Sequence, residues 1–241
     1  MQFCSVLIFW QLNRPLAPDP SAITEPEGIS MPSLSMVDLR ACYFAENATR
    51  APSTRGQLPA VIATQSKDRS ALLCGRPLSR EPVVPASLLD EHLAKFRHNL
   101  SNLTPTPEDV EAFHLLRTSL TKFYDNEAQR CNVLTEVLSK TILPATVVLQ
   151  HQAVSRYSTD GDLRVNTAAG SFIYFLQEVK NEVGQGGAIP QFEATHYWIE
   201  QIRIILESGK ITQNGLVSMN FPVILLQSFG QSLGSPIHSF T

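Results

Sequence analysis

The sequence is poor in charged residues and has no long apolar run. Asp, Glu, Lys and Arg make up 17% of its 241 residues, and the net charge is −3. Soluble domains carry about 25% of these residues, and bulk affinity for nucleic acid needs clustered Lys and Arg. The totals therefore argue against a protein that holds nucleic acid by charge alone. No stretch approaches the ~18 apolar residues of a membrane helix, so no membrane association is expected.

Cysteine is also scarce, and its four copies are widely separated. Cys4, Cys42, Cys74 and Cys131 form no pair with the short spacing of a zinc finger or ribbon. Isolated thiols are typical of reducing compartments. The first residues lack the basic start and the small-residue cleavage site of a secretory signal. We therefore expect an intracellular protein, in the cytoplasm or the nucleus.

Proline, in contrast, is abundant in the first third of the chain. Nine prolines fall within residues 11–84. Each one fixes φ and removes a backbone donor, which disfavours long helices and central strands. We predict a largely irregular arm over 1–84, a folded domain over 85–230 and an irregular tail over 231–241.

Helical and strand patterns follow one another within 85–230. Apolar residues recur at helical spacing over 85–99, after a Thr106 N-cap, and from about Asp125 to Pro144. Three strands, a helix and a last strand are predicted next, over residues 146–154, 162–166, 171–180, 190–208 and 221–229. Asp160-Gly161 is a hairpin-turn signal between the first two strands. The order predicts an α/β (α+β) fold, with helices preceding a helix–three strands–helix–strand core.

Three residues of this core carry the chemistry of a hydrolytic metal site. Glu178 and Lys180 lie two apart near the end of an apolar strand, so both side chains point to one face and Val179 to the other. Asp160 stands at a strand-entry turn, with Asp162 as the competing candidate. Two carboxylates can hold Mg²⁺, which lowers the pKa of a bound water, and a neighbouring lysine can orient that water.

The motif Asp160…Glu178-Val-Lys180 resembles that of the PD-(D/E)xK nuclease superfamily, the restriction-endonuclease-like proteins. That resemblance implies an αβββαβ core and phosphodiester hydrolysis of nucleic acid. It also implies Asp160 and Glu178 as ligands of Mg²⁺, the expected cofactor, with Lys180 as a further catalytic residue.

The resemblance also implies two supporting residues. Many members carry a Glu in the first core helix, where Glu127 is the matching residue. On the helix after the Glu-x-Lys strand they often carry a Gln and then a Tyr, which implies a role for Gln191. Tyr197 follows Gln191 at a wider spacing than the usual Gln-x-x-x-Tyr. Glu182 is either a further acid of the site or an ordinary loop residue.

A second resemblance covers residues 158–197. Ser158-Thr-Asp-Gly, Glu178-Val-Lys-Asn-Glu-Val-Gly-Gln-Gly-Gly and Pro190-Gln are similar to a domain of mushroom-type fungal, Crinkler-like proteins, where it often precedes a protein-kinase-like domain. Ile189 stands where that pattern has Asp. No Val-Ala-Ile-Lys, His-Arg-Asp or Asp-Phe-Gly motif is present, so kinase activity is not implied. The alternative to a nuclease is therefore a non-catalytic, kinase-associated or effector-like module that binds a protein partner.

Overall fold

The computed structural model describes residues 5–9, 44, 51–65, 91–102, 104–181, 187–211 and 223–229. Helices and strands occur together in these ranges, so the prediction of a mixed α/β fold is confirmed at this coarse level. The predicted tail over 231–241, most of the predicted arm and Glu182 lie outside the described residues. No helix within the described ranges is long and apolar enough to cross a membrane.

The described ranges contain six helices and six strands. The helices are α1 (Pro52–Arg55), α2 (Leu58–Gln65), α3 (Glu91–Asn102), α4 (Pro107–Leu120), α5 (Glu127–Thr141) and α6 (Pro190–Glu207). The strands are β1 (Ser5–Phe9), β2 (Ala153–Val154), β3 (Tyr157–Ser158), β4 (Gly161–Thr167), β5 (Gly170–Lys180) and β6 (Val223–Phe229).

The main sheet has the strand order β1-β6-β5-β4. β5 and β6 run parallel, and α6 lies between them in the chain, as the crossover that a parallel pair requires. β4 and β5 pair antiparallel through the tight turn at residues 168–169. β1 pairs antiparallel with β6 at the sheet edge. An ordered strand therefore lies inside the region predicted to be largely irregular.

The sheet lies between helices on its two faces, because side chains on β5 and β6 alternate. Leu176 and Leu225 pack with α6 residues such as Ile199 and Ile202. Val179 and Leu226 pack on the other face, with a cluster that includes the α5 residues Cys131, Leu134 and Leu138. β5 is therefore buried on both faces at its C-terminal half, as its apolar run predicts.

Two predicted helix starts are confirmed. Thr106 is the N-cap of α4: its hydroxyl accepts from Asp109 N at 3.2 Å, and the Asp109 carboxylate accepts from Thr106 N at 2.9 Å. Pro107 takes the first helical position, where its missing N–H has no cost. Pro190 likewise opens α6, which ends at Glu207, close to the predicted end at 208.

The predicted hairpin turn at Asp160-Gly161 is wrong. The tight turns lie instead at Ser155-Arg156, where Ser155 has a φ of 58°, and at residues 168–169. Gly161 is the first residue of β4. A Cβ at this position would meet Leu149 Cγ at 3.1 Å, so the glycine serves close packing rather than a turn.

The predicted strand over 146–154 is also wrong for most of its length. Only Ala153–Val154 form a strand, β2, and it pairs with β3 in a separate two-stranded sheet. Gln150 reaches β4 through a single bridge to Asp162. The side chain of Val148 is 60% exposed, so this β-branched stretch gains too little burial to become a strand of the main sheet. The αβββαβ order is therefore not reproduced strand for strand.

We expect Gly56→Ala to destabilise the protein by about 1–3 kcal/mol, the usual cost of overpacking. Gly56 has a φ of −73°, which alanine adopts without strain. An added Cβ would, however, lie 2.9 Å from Glu193 N at the start of α6. Urea unfolding measures the effect. Thr54→Ala, an exposed change in α1, the helix that Gly56 caps, is the control, with an expected change within about 0.5 kcal/mol. Equal stability of both variants would contradict the close contact.

Candidate functional site

The end of β5 places Glu178 and Lys180 side by side on the face that α6 covers. Lys180 Nζ lies 2.9 Å from Glu178 Oε1. It also lies 3.1 Å from Glu193 Oε2 on α6 and 3.2 Å from Glu127 Oε1, the first residue of α5. One ammonium thus meets three carboxylates, and these come from one strand and two helices.

Asp160 reaches the same region from the residue that precedes β4. The β4–β5 ladder begins with the pair Gly161 and Gln177. Val179 N lies beyond that pair and donates instead to Asp160 Oδ2 at 2.8 Å. The Asp160 carboxylate therefore accepts the hydrogen bond for which β4, which begins only at Gly161, offers no backbone carbonyl. Its position is fixed by the backbone of the strand that carries Glu178 and Lys180.

Two carboxylate oxygens of this site are buried without a hydrogen bond. Glu178 and Glu193 are 2% and 4% exposed. Among the described residues, Glu178 Oε2 has no donor. Glu193 Oε2 lies near Lys180 Nζ but forms no hydrogen bond. Buried polar atoms are normally paired because an unpaired one costs free energy. Free carboxylate lone pairs in a buried site fit the oxygen ligands that Mg²⁺ prefers.

The acidic side chains of the site outnumber its one lysine, and this shifts their pKa values. Burial raises the pKa of Glu178 well above its usual range; the charges of Asp160 and Glu193 raise it further, while Lys180 opposes them. Burial also raises the pKa of Asp160, against the Val179 N–H and Lys180. For Lys180, burial acts to lower the pKa, but Glu178, Glu193 and Glu127 raise it above its ordinary value. The one positive charge of the site therefore does not balance its carboxylates.

The structure brings together four of the five residues singled out in the sequence: Asp160, Glu178, Lys180 and Glu127. Gln191 lies half-buried in the first turn of α6, and its carbonyl accepts from Thr195 Oγ1 at 2.6 Å. No hydrogen bond among the described residues joins the Gln191 side chain to the other four.

Two α6 residues that sequence reasoning missed or set aside face the site. Glu193 contacts Lys180. Tyr197 stands four residues later, on the same side of the helix. Burial raises the pKa of the Tyr197 phenol, and the charges of Glu178, Glu193 and Asp160 add to that rise. The four-residue spacing of Glu193 and Tyr197 is the signal that could have found the pair.

Asp162, the competing candidate for the first ligand, has a different environment. Its carboxylate is fully buried and accepts from Arg164 Nε and Nη2, each at 2.8 Å. Thr159 Oγ1 donates to it at 2.8 Å as well. These donors surround both oxygens, so Asp162 holds the start of β4 in place and is not available as a ligand.

Asp160 also belongs to a second group, with Cys131 and His151. One ligand atom from each residue lies within 4.8 Å of the others, so the group could hold a metal ion. Cys131 is 1% exposed, and burial together with the Asp160 charge raises the pKa of its thiol to about 12. No sequence pattern reveals this group, because its members are distant along the chain and form no ligand spacing.

Comparisons of this chain with protein-family models, with curated proteins and with solved structures find no match. Its function is therefore inferred from the chemistry of these side chains.

We expect Glu178→Gln to stabilise the metal-free protein at pH 8. The folded-state pKa of Glu178 is raised above its unfolded-state pKa of about 4.5. The stability that protonated Glu178 provides relative to the ionised form is therefore fully present below about pH 4.5, and it is lost as the pH rises through the folded-state pKa. Glutamine imitates the protonated form at every pH. Urea unfolding in EDTA from pH 5 to pH 9 should show an advantage of the variant that grows with pH.

The control for that series is Glu136→Gln on the exposed side of α5. Its stability relative to the unmodified protein should not rise with pH. A Glu178→Gln protein that is less stable than the unmodified chain at every pH would contradict the unfavourable ionisation of Glu178.

Proposed function

We propose that this domain is a divalent-metal-dependent nuclease, with a restriction-endonuclease-like core, that hydrolyses phosphodiester bonds in nucleic acid. Asp160 and Glu178 would hold Mg²⁺, and Lys180 would act beside them. One observation carries the proposal: buried carboxylates, one with an oxygen that has no donor, stand beside a lysine on the same strand end. The shortage of positive charge in this cluster supports a cation as the missing component.

Magnesium fits the residues that face this site. It prefers oxygen ligands and usually takes one or two carboxylates from the protein. Asp160 is held by Val179 N, and Glu178 by Lys180, so both carboxylates are positioned before any cation binds. When bound, Mg²⁺ would polarise a phosphoryl oxygen and lower the pKa of a bound water.

Lys180 would position the attacking water and offset negative charge on the phosphate. Its raised pKa keeps the ammonium charged at neutral pH. An ammonium has three N–H donors, and three carboxylates surround this one. A phosphate can approach the ammonium only when one of these carboxylates moves away. Glu127 is the most exposed of the three, with a side chain 35% exposed, so it is the one that substrate would displace.

The proposed contributions of α6 are positional. Glu193 holds Lys180 from the helix side and keeps the ammonium directed at the end of β5. Tyr197 keeps its phenol protonated, because burial and the nearby carboxylates raise its pKa. A neutral phenol can donate a hydrogen bond to a phosphate oxygen. A supporting role for the Gln191 amide, from the first turn of α6, stays a prediction.

A second candidate function, a non-catalytic module that binds a protein partner, is favoured by two observations. Glu178 and Lys180 are only 2% and 8% exposed, so their ion pairs already satisfy much of the cluster internally. Val110, Phe113 and Phe123 expose 46%, 54% and 82% of their surface on α4 and just after it. Val110 and Phe113 stand one turn apart on α4, and exposed apolar side chains that adjoin one another are typical of protein contacts. In this function the charged cluster would only maintain the fold.

Cleavage of labelled DNA and RNA should separate the two functions. With Mg²⁺ or Mn²⁺ we expect cleavage by the unmodified protein, and a loss of about 100-fold or more in Lys180→Ala, the size of a lost proton-transfer or orienting group. Lys140→Ala on the exposed side of α5 is the matched control and should keep full activity. Activity that survives in Lys180→Ala would remove this site from the reaction.

Metal binding tests the ligands without any substrate. Calorimetry should detect one Mg²⁺ bound to the unmodified protein and no binding to Asp160→Ala or Glu178→Ala. Glu111→Ala, an exposed change on α4, should bind Mg²⁺ normally. Variants that retain their circular dichroism and still bind Mg²⁺ would contradict the proposed ligand pair. A folded, unmodified protein that binds no Mg²⁺ and cleaves nothing would favour the partner-binding module.

A further inference from the structure

We propose that Cys131, His151 and Asp160 form a second metal site, for a borderline-soft divalent cation of the Zn²⁺ class. The three ligand atoms come from the middle of the chain: α5, the stretch before β2, and the residue before β4. Cys131 packs with Val179 on the α5 side of the sheet, whereas Glu178 and Lys180 point to the α6 side. Cys131 and His151 are therefore no part of the proposed magnesium site, with which this group shares only Asp160. The test of the second site does not depend on the nuclease proposal.

The distances suit a tetrahedral ion. Cys131 Sγ lies 3.7 Å from His151 Nε2. Bonds of ~2.3 Å to sulfur and ~2.05 Å to nitrogen, at a tetrahedral angle, require a separation of about 3.6 Å between these atoms. The Asp160 carboxylate oxygen is within 4.8 Å of both. Small side-chain rotations therefore bring all three atoms into bonding range.

The histidine is already held in the tautomer that a ligand needs. His151 Nδ1 lies 3.0 Å from the carbonyl oxygen of Thr159. A carbonyl can only accept, so Nδ1 carries the hydrogen, and in the neutral ring this leaves the lone pair on Nε2. Nε2 is the atom that faces Cys131 Sγ. A hydrogen bond from the other ring nitrogen to a backbone carbonyl is the usual support of a metal-binding histidine.

The cysteine has support of the same kind. Gln177 Nε2 donates toward Cys131 Sγ at 3.4 Å, from the strand that faces α5. The thiol itself donates to the Asp160 carbonyl at 3.1 Å. When a cation binds, the S–H bond breaks, its proton leaves to solvent and a sulfur–metal bond forms. The Gln177 amide then remains as a donor to the thiolate.

The ligand types decide which cation fits. Thiolate and imidazole favour Zn²⁺ or Co²⁺ over Mg²⁺, which prefers oxygen ligands alone. Three protein ligands leave a fourth position for water or for a group from outside. His151 is exposed and Cys131 is buried, so a cation would enter from the histidine side.

Cobalt titration of the metal-free, full-length protein tests the site, because a thiolate bound to Co²⁺ gives a near-ultraviolet charge-transfer band. We expect one equivalent of Co²⁺ to produce the band and Zn²⁺, but not excess Mg²⁺, to abolish it. Cys131→Ser should remove the band. His151→Gln should weaken Co²⁺ binding more than about 100-fold, beyond the loss typical of an outer-sphere partner. His114→Gln, at an exposed histidine on α4, is the matched control and should bind normally.

Either of two cobalt spectra would overturn the proposal. One is the absence of a charge-transfer band in the folded, unmodified protein. The other is a band that survives in Cys131→Ser, which would assign it to another of the four cysteines. If Cys131→Ser does not fold, the exposed His151 still decides the question, since equal Co²⁺ affinities of His151→Gln and His114→Gln would refute the site. None of these readouts uses nuclease activity.

Discussion

The ion pairs of Lys180 join three elements of the fold at one atom. One ammonium contacts Glu178 on β5, Glu193 on α6 and Glu127 on α5. These contacts join the C-terminal end of β5 to α6 on one face of the sheet and to α5 on the other. A buried carboxylate that loses its only counter-charge destabilises a protein by several kcal/mol. Lys180 therefore supports the fold as well as the chemistry proposed for it, and its substitution affects both.

Asp160 links the two faces of the sheet at the point where the β4–β5 ladder begins. Its carboxylate accepts from Val179 N, and its carbonyl accepts from the Cys131 thiol. The proposed magnesium ligand and the proposed zinc-class ligand are thus one residue. A single carboxylate shared by two cations of opposite preference makes each site sensitive to the occupant of the other. That coupling rests on the proposed nuclease function, whereas each site can be tested alone.

Local patterns predicted some of the elements, and long-range packing decided the rest. The Thr106 cap, the start of α6 and the shared face of Glu178 and Lys180 follow from short spacings, so the sequence alone was enough. Gln191 and Glu193 are two apart on a helix and point about 200° apart. Which one faces the site depends on how α6 docks, and no local pattern encodes that. The pairing of β1 with β6 is equally invisible, because it joins distant segments.

That edge pairing has a consequence for how the chain folds. Ser5 lies opposite Gln227, roughly 220 positions away in sequence, and contacts of such separation form slowly because a very long loop must close first. During synthesis the first strand leaves the ribosome long before its partner exists. β1 is therefore left without its partner until β6 has been made, and in that interval its unpaired backbone groups favour aggregation.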